Sequence, residues 1–156
     1  MDYFRVNVVG NINLFNAYMP LVLKGAGKKV ITISAGFADL DLTAKYRIQT
    51  AVPYSTSKVA VNMAVAKFHA EYSEQGVLFM SICPELVETG QEEKIPPEGL
   101  PYLQKLAAAF MSYAPDMKKS TPEEAVDAVW SVAEDASLEK GHGGSFVSHK
   151  GNKQWL

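Results

Sequence analysis

A tyrosine and a lysine lie four positions apart in the segment YSTSK, as Tyr54 and Lys58. On a helix this spacing puts both side chains on one face, a turn apart. An ammonium about 4 Å from a phenol could bring the phenol pKa from about 10 toward about 7, where it can exchange a proton with an alcohol or a carbonyl. The spacing alone is weak evidence, because a chain with 7 tyrosines can contain it by chance. Two polar residues that only share a helix face are the alternative.

The elements that would position this pair alternate along the chain. Apolar periodicity, β-branched runs and helix caps predict the following order: helix 3–24, strand 30–34, helix 54–76, strand 77–83, helix 100–113, a helix capped by Thr121, and a last strand in GGSFVSH. Residues 35–53 are predicted to be a loop. Such alternation predicts an α/β fold with a parallel sheet. Ligands bind beyond the carboxyl ends of parallel strands, which here are Ser34 and Cys83.

Composition narrows the function classes. The 156 residues are 47% hydrophobic and carry a formal net charge of −2, which predicts a single domain, 1–156. The scattered basic residues predict no nucleic-acid binding. One cysteine, Cys83, excludes an internal disulfide and fits a reducing compartment. The three histidines lack metal-ligand spacing, so no metal site is expected. The apolar runs look far short of a bilayer span, and no signal peptide is visible, so we expect a cytoplasmic protein without membrane association.

Five stretches, in order and over nearly the whole chain, resemble landmarks of the short-chain dehydrogenase/reductase family. NVVGNINLFNAYMP resembles the helix that carries the active-site Asn, and KKVITISAG resembles the strand that ends in the catalytic Ser. YSTSK matches the Tyr-x-x-x-Lys signature. CPELVETG resembles the loop that touches the nicotinamide, and TPEEAV with GGSFVSHKGNKQW resembles the family tail.

The resemblance implies hydride transfer between NAD or NADP and a small carbonyl or alcohol substrate. Tyr54 would be the general acid/base, and Lys58 would lower its pKa and hold the nicotinamide ribose. Asn7 would keep a water relay in place through its helix backbone. Further cofactor contacts would come from the loop after the second strand, at Pro84, Val87 and Thr89.

Two positions depart from the family pattern. The strand ends in Ser34 followed by Ala35, where the family commonly has two serines of which the second is catalytic. Ser34 is either a catalytic substitute or a buried hydroxyl bonded to backbone. Glu85 stands where the family usually has Gly, and it either alters the loop and repels a cofactor phosphate or points to solvent.

The largest departure is the absence of a Gly-rich phosphate turn. Against the family, the chain begins at the fourth helix, which predicts a partial Rossmann-like, doubly wound parallel sheet without the N-terminal βαβ half. It is either a fragment or a natural truncation. Two functions stay open: the catalytic half of an NAD(P)-dependent oxidoreductase, or a silent homologue that binds a full-length enzyme. The uncovered sheet predicts self-association, or association with such a relative, through helices 3–24 and 54–76.

A few other residues carry predictions. The segment 90–118 either covers the substrate or is a plain packing helix. His142 and His149 are expected at the surface or in the tail rather than in catalysis. Trp130 is expected in the core, and Trp155 in a tail that docks on the sheet or on a neighbour. The acidic stretch 91–94 is expected to be solvated.

Overall fold

The computed structural model describes residues 2–90 and 95–156; the stretch 91–94, predicted to be solvated, lies outside them. The predicted order of elements is confirmed, with one additional short helix between the first strand and the second long helix. The helices are α1 (Asp2–Lys24), α2 (Leu40–Lys45), α3 (Val52–Tyr72), α4 (Leu100–Tyr113) and α5 (Pro122–Asp135), and the strands are β1 (Lys29–Ile33), β2 (Leu78–Cys83) and β3 (Phe146–Ser148). The strands form one parallel sheet in the order β1-β2-β3, which confirms the α/β class.

β2 is the central strand. It pairs with β1 from Lys29 opposite Leu78 to Ile33 opposite Ile82, and with β3 up to Cys83 opposite Ser148. Every residue of β2 is buried, as expected for a continuous apolar strand covered on both faces. The outer edge of β1 pairs with no strand among the described residues.

α1 is helical throughout but changes its winding. Asp2–Phe4 and Asn11–Lys24 are α-helical, whereas Arg5–Gly10 is π-helical. A π-helical turn has one extra residue and is frequent at functional sites. Only Phe15 and Met19 of the second stretch are buried, so most of the helix surface faces outward.

α1 is also the one helix among the described residues that is long and apolar enough to cross a bilayer. The helix has 23 residues, its most apolar 18-residue window has a mean hydropathy of 1.2, and 11% of that window is buried. This differs from the expectation that apolar runs fall far short of a span. Length and composition are weak evidence of a membrane helix, because a helix that packs in a soluble core passes the same test. α1 does pack in this way, through Phe15 and Met19.

α1 and α3 cover one face of the sheet. Val65 of α3 packs with Phe15, Met19 and Phe79, and the Phe15 and Phe79 ring centroids are 5.4 Å apart, edge to face. α3 begins at Val52, two residues earlier than predicted, because Pro53 fits the first helical turn rather than ending the preceding loop.

The prediction of a loop over 35–53 is wrong in part. A 3-10 turn covers Gly36–Ala38 and α2 follows it. The Asp39 carboxylate caps α2 by accepting a hydrogen bond from the Leu42 backbone N–H at 2.7 Å. Six residues give too few turns for an apolar period, so the cap was the only available signal.

α5 covers the other face of the sheet and begins with the predicted capping box. Thr121 Oγ1 accepts from the Glu124 N–H, and the Glu124 carboxylate accepts from the Thr121 N–H. The core expectation for Trp130 is wrong: its side chain is 64% exposed. Val129 and Val132 of α5 contact the sheet cluster instead, so the helix turns Trp130 away from it.

An apolar groove runs between the outer edge of β1 and α5. We call it the edge groove. Its volume is about 430 Å³ and it is lined mainly by Ile31, Ile33, Pro84, Val87, Val126 and Trp130.

Candidate active site

A second cavity lies at the carboxyl ends of β1 and β2, where an open parallel sheet binds ligands. We call it the aromatic cavity. Its volume is about 150 Å³. The residues that line it include Ser34, Phe37, Tyr54, Cys83, Phe110 and Trp155. Tyr54 and Ser34 therefore line the same cavity. This agrees with the expectation that ligands bind at the carboxyl ends of the two strands.

Tyr54 lies in the first turn of α3, with its ring 5.8 Å from Tyr3 and 6.3 Å from Phe37, centroid to centroid. Burial raises the pKa of Tyr54 above its ordinary value, and Cys83 and then Tyr3 raise it further. The expectation that Lys58 draws this pKa down is wrong for the chain in this structure, because desolvation disfavours the phenolate.

Lys58 lies one turn after Tyr54 on the same side of α3, as the spacing predicted. Its Nζ is 5.7 Å from the Tyr54 ring centroid and donates a hydrogen bond to the Ile33 carbonyl at 2.8 Å. Burial lowers the pKa of Lys58, while Cys83 raises it. The ammonium thus binds the end of β1 and lies beside the ring of Tyr54.

Ser34 has a buried hydroxyl that makes no hydrogen bond. The residue is 2% exposed, and its Oγ has no partner, while its backbone N–H donates to the Ile82 carbonyl at 2.8 Å. The alternative in which the Ser34 hydroxyl is hydrogen-bonded to the backbone is therefore wrong. Ala35, at the position of the second family serine, also lines the cavity. An unsatisfied hydroxyl costs free energy that a ligand acceptor would recover.

Asn7 lies in the π-helical turn of α1 and supports the Tyr54 backbone indirectly. Asn7 Nδ2 donates to Ser57 Oγ at 3.0 Å, and Ser57 Oγ donates to the Tyr54 carbonyl at 2.7 Å. The Asn7 carbonyl is the atom expected to hold a water relay. It accepts a hydrogen bond from Asn11 Nδ2 at 2.7 Å. Ser57 was not predicted as a site residue, although its place in YSTSK was a usable signal.

The loop after β2 contains the three further cofactor positions predicted from the sequence. Pro84 lines both the aromatic cavity and the edge groove, and Val87 lines the edge groove only. Thr89 is exposed and lines neither. The loop is anchored to the entrance of α5, because the Glu88 N–H donates to the Ser120 carbonyl at 2.9 Å.

Glu85 does not point to solvent, so that alternative is wrong. Its backbone φ is +79°, in the left-handed region that glycine adopts easily and other residues rarely do. Its carboxylate accepts a hydrogen bond from Ser120 Oγ at 2.7 Å and lies 3.3 Å from His149 Nε2. These contacts tie the loop to α5 and to the end of β3.

His149 was expected at the surface or in the tail; it lies in the tail, directly after β3, and its side chain is largely buried against Glu85. Burial lowers the pKa of His149, and Lys150 lowers it further, whereas Glu85 raises it. The nearness of Glu85 would favour a charged imidazole, but burial is the larger effect. His142 Nδ1 accepts from the Ser137 N–H at 3.2 Å, so it lies in a turn and away from the cavity.

The C-terminal tail docks on the sheet, as predicted for Trp155. The Trp155 indole stacks on the Phe146 ring, with centroids 4.4 Å apart. The backbone N–H of Trp155 donates a hydrogen bond to the Tyr113 hydroxyl at 2.9 Å. A Cβ at Gly36 would lie 3.0 Å from the Trp155 Cβ, so any other residue at this position would crowd the Trp155 wall. The sequence did not reveal that Trp155 forms part of the cavity.

α4 combines both interpretations of segment 90–118, because Phe110 packs in the core and lines the cavity.

The described residues contain no group of three or more His, Cys, Asp or Glu side chains that could hold a metal ion. The polar groups at the cavity include a phenol, a hydroxyl and a thiol, and an ammonium lies beside the phenol ring.

Comparisons with known proteins agree with this arrangement. The family model described as short chain dehydrogenase matches residues 1–99. The chain is 52% identical over 154 residues to the short chain dehydrogenase virK of Hypocrea virens, covering 98% of this chain and 57% of that protein. It is 45% identical to the short-chain dehydrogenase/reductase iacC of Pestalotiopsis fici, with 98% and 57% covered. The chain thus spans little more than half the length of these relatives.

Solved structures share the fold. An NADPH-bound carbonyl reductase from chicken fatty liver has a TM-score of 0.71 at 19% identity, covering 96% of this chain and 54% of that one. An NAD-bound short chain dehydrogenase from Mycobacterium paratuberculosis has a TM-score of 0.61 at 19% identity, with 98% and 55% covered. The chain belongs to the short-chain dehydrogenase/reductase family and has the fold of the C-terminal half of its members.

Proposed function

We propose that this chain provides the catalytic half of an NAD(P)-dependent oxidoreductase that interconverts a carbonyl and an alcohol, with Tyr54 as general acid/base. The observation that carries the proposal is the meeting of Tyr54 with the partnerless Ser34 hydroxyl in one cavity. A substrate oxygen between them would accept two hydrogen bonds and take the place of the missing partner.

The residues fit the nicotinamide end of a cofactor. Pro84 and Val87 offer apolar contacts, and Pro84 borders the aromatic cavity, so a ring held there would lie beside the substrate. Lys58 offers three donors for a ribose, of which one is bound to the Ile33 carbonyl. When bound, the cofactor supplies or accepts the hydride. NAD and NADP differ only at the 2′ position of the adenosine ribose, so the nicotinamide end of this site fits both.

In this arrangement Tyr54 is the proton donor for reduction. A raised pKa keeps the Tyr54 phenol protonated at neutral pH, so it can donate a proton to an oxygen that gains negative charge. Ser34 would donate a second hydrogen bond to the same oxygen. Asn7 and Ser57 hold the backbone of Tyr54 and so fix the direction of its ring.

The test compares Tyr54→Phe with Tyr102→Phe, which alters an exposed phenol of α4. In an active form of the protein, we expect Tyr54→Phe to reduce carbonyl-dependent NADPH or NADH oxidation by about a hundredfold or more, with cofactor affinity nearly unchanged, and Tyr102→Phe to have no effect. Turnover of Tyr54→Phe at the rate of the unmodified protein would contradict the role assigned to this phenol.

The second candidate is a silent homologue that binds a full-length relative or another copy. It is favoured by the outer edge of β1, which pairs with no strand in the described part of the chain, and by exposed apolar side chains on α1, among them Leu14, Tyr18 and Leu21. Unpaired strand edges and apolar patches promote association. A fluorescence titration of the 156-residue chain with NADH and NADPH discriminates the two. Cofactor binding supports the catalytic half, whereas its absence together with a tight complex with a relative supports the silent partner.

A further inference from the structure

The walls of the aromatic cavity are held in place before any ligand binds. The Phe37 and Phe110 rings are 5.8 Å apart and tilted by 35°. Trp155 is 3% exposed and is fixed by its stacking on Phe146. Phe37, Phe110 and Trp155 therefore line the same small volume, and each ring is in contact with another ring. Such walls favour a flat, apolar group that can make offset or edge-to-face contacts.

The polar groups of the cavity are few. Ser34 and Tyr54 offer hydrogen-bond donors. The Cys83 Sγ already accepts from the Gly36 N–H at 3.1 Å, and Glu85 is held by Ser120 and His149. A substrate there needs one acceptor oxygen and no further polar groups. The Glu85 carboxylate at the rim also disfavours a negatively charged substrate.

The volume sets the size of that substrate. At about 150 Å³, the cavity matches an apolar protein cavity known to bind benzene, so it holds one six-membered ring. A second ring would have to extend out through the mouth.

We propose, resting on the function proposed above, that the substrate is a neutral aryl carbonyl whose ring enters the aromatic cavity with the carbonyl oxygen directed to Tyr54 and Ser34. On reduction, the hydride of a reduced nicotinamide forms the new C–H bond and the C=O π bond breaks. The Tyr54 proton goes to the oxygen, which leaves an aryl alcohol, an oxidised nicotinamide and a phenolate that takes up a proton from solvent.

The test is a calorimetric titration of the 156-residue chain with two ketones of the same skeleton, acetophenone and cyclohexyl methyl ketone. Only the first has a flat ring. We expect acetophenone to bind about tenfold more tightly, because ring–ring contacts add affinity beyond the area buried. Phe110→Leu should reduce this preference to about twofold. Trp130→Leu, in the edge groove, is the matched control and should leave it unchanged.

Equal affinity for the two ketones, absence of binding, or the same loss from Trp130→Leu would overturn the proposal. Circular dichroism checks that Phe110→Leu folds, and Phe37→Leu replaces it if not. This readout needs neither cofactor nor turnover. Selective acetophenone binding without nicotinamide-dependent turnover would remove the proposed function alone, whereas equal turnover of both ketones would remove the aryl preference alone.

Discussion

The aromatic cavity and the edge groove are both apolar, and they meet at Pro84. The edge groove is almost three times larger, at about 430 Å³ against about 150 Å³. Only the smaller one contains a partnerless hydroxyl and a phenol. In the groove, Ile31 and Ile33 instead lie on the edge strand β1, whose outer side pairs with no strand among the described residues. Volume alone would select the edge groove, whereas the convergent polar groups favour the aromatic cavity as the candidate site. The groove is an exposed apolar surface of the kind that promotes association.

The largest expected difference between the two regions concerns their tryptophans. Trp155→Ala removes a buried indole from the aromatic cavity and should lower the free energy of unfolding by about 3–5 kcal/mol. Trp130→Ala removes an exposed indole from the edge groove and should change it by less than about 1 kcal/mol. Urea unfolding measures both. Equal losses would show that the groove is as tightly packed as the cavity and would break the comparison.

A smaller effect is expected behind the cavity. Ser57→Ala leaves Asn7 Nδ2 and the Tyr54 carbonyl without their shared partner and should cost about 1–3 kcal/mol of unfolding free energy. The double variant with Asn7→Ala should cost less than the sum of the two single changes, because each single change already removes the hydrogen bond between Asn7 and Ser57. A double-mutant cycle by urea unfolding measures this coupling. Additive losses would show that the two side chains act independently.

In the edge groove the expected effect is on association rather than on stability. Val126→Glu places a charge beside Trp130 and should reduce ANS fluorescence and any self-association, with a stability change of about 0.5 kcal/mol or less. Gln104→Glu, on an exposed position of α4, is the charge-matched control. Unchanged ANS binding would locate the exposed apolar surface elsewhere, with α1 the next candidate.

The smallest expected effect is a pH dependence from the Glu85–His149 contact. The pKa of His149 is lowered in the folded chain by burial, so the unfolded chain binds more protons between that pKa and the ordinary 6.5. The contribution of this group is complete above about 6.5 and is lost as the pH falls through the folded-state pKa. Thermal unfolding from pH 8 to 5 should therefore show a loss on acidification that is weaker in His149→Gln. An equally steep loss in that variant would assign it to other groups.

Much of the fold could be predicted from the sequence because its signals are local. β2 is a continuous apolar run, and α5 begins with Thr121, Pro122 and Glu124 in capping-box order. The cavity walls could not be predicted in the same way. Trp155 is distant in sequence from Ser34 and reaches the cavity only through stacking that no local pattern encodes.

The pKa of Tyr54 shows the same limit. Lys58 was placed correctly by spacing, but the direction of the shift depends on the burial of Tyr54 in the folded chain, which is a property of the tertiary structure. The prediction that Trp130 lies in the core was wrong for a related reason. Its size predicts burial, yet only the packing of α5 decides which side of the helix meets the sheet.

The hydrogen bond from Lys58 to the Ile33 carbonyl links the edge of the sheet to the ammonium. Ser34 directs its N–H toward β2, so in a parallel ladder the neighbouring Ile33 carbonyl is directed away from β2. A strand added along β1 would compete with Lys58 for that oxygen. Docking of such a strand would then free one N–H donor of Lys58 for a ligand. Addition of a strand to the sheet and release of this donor would therefore be coupled.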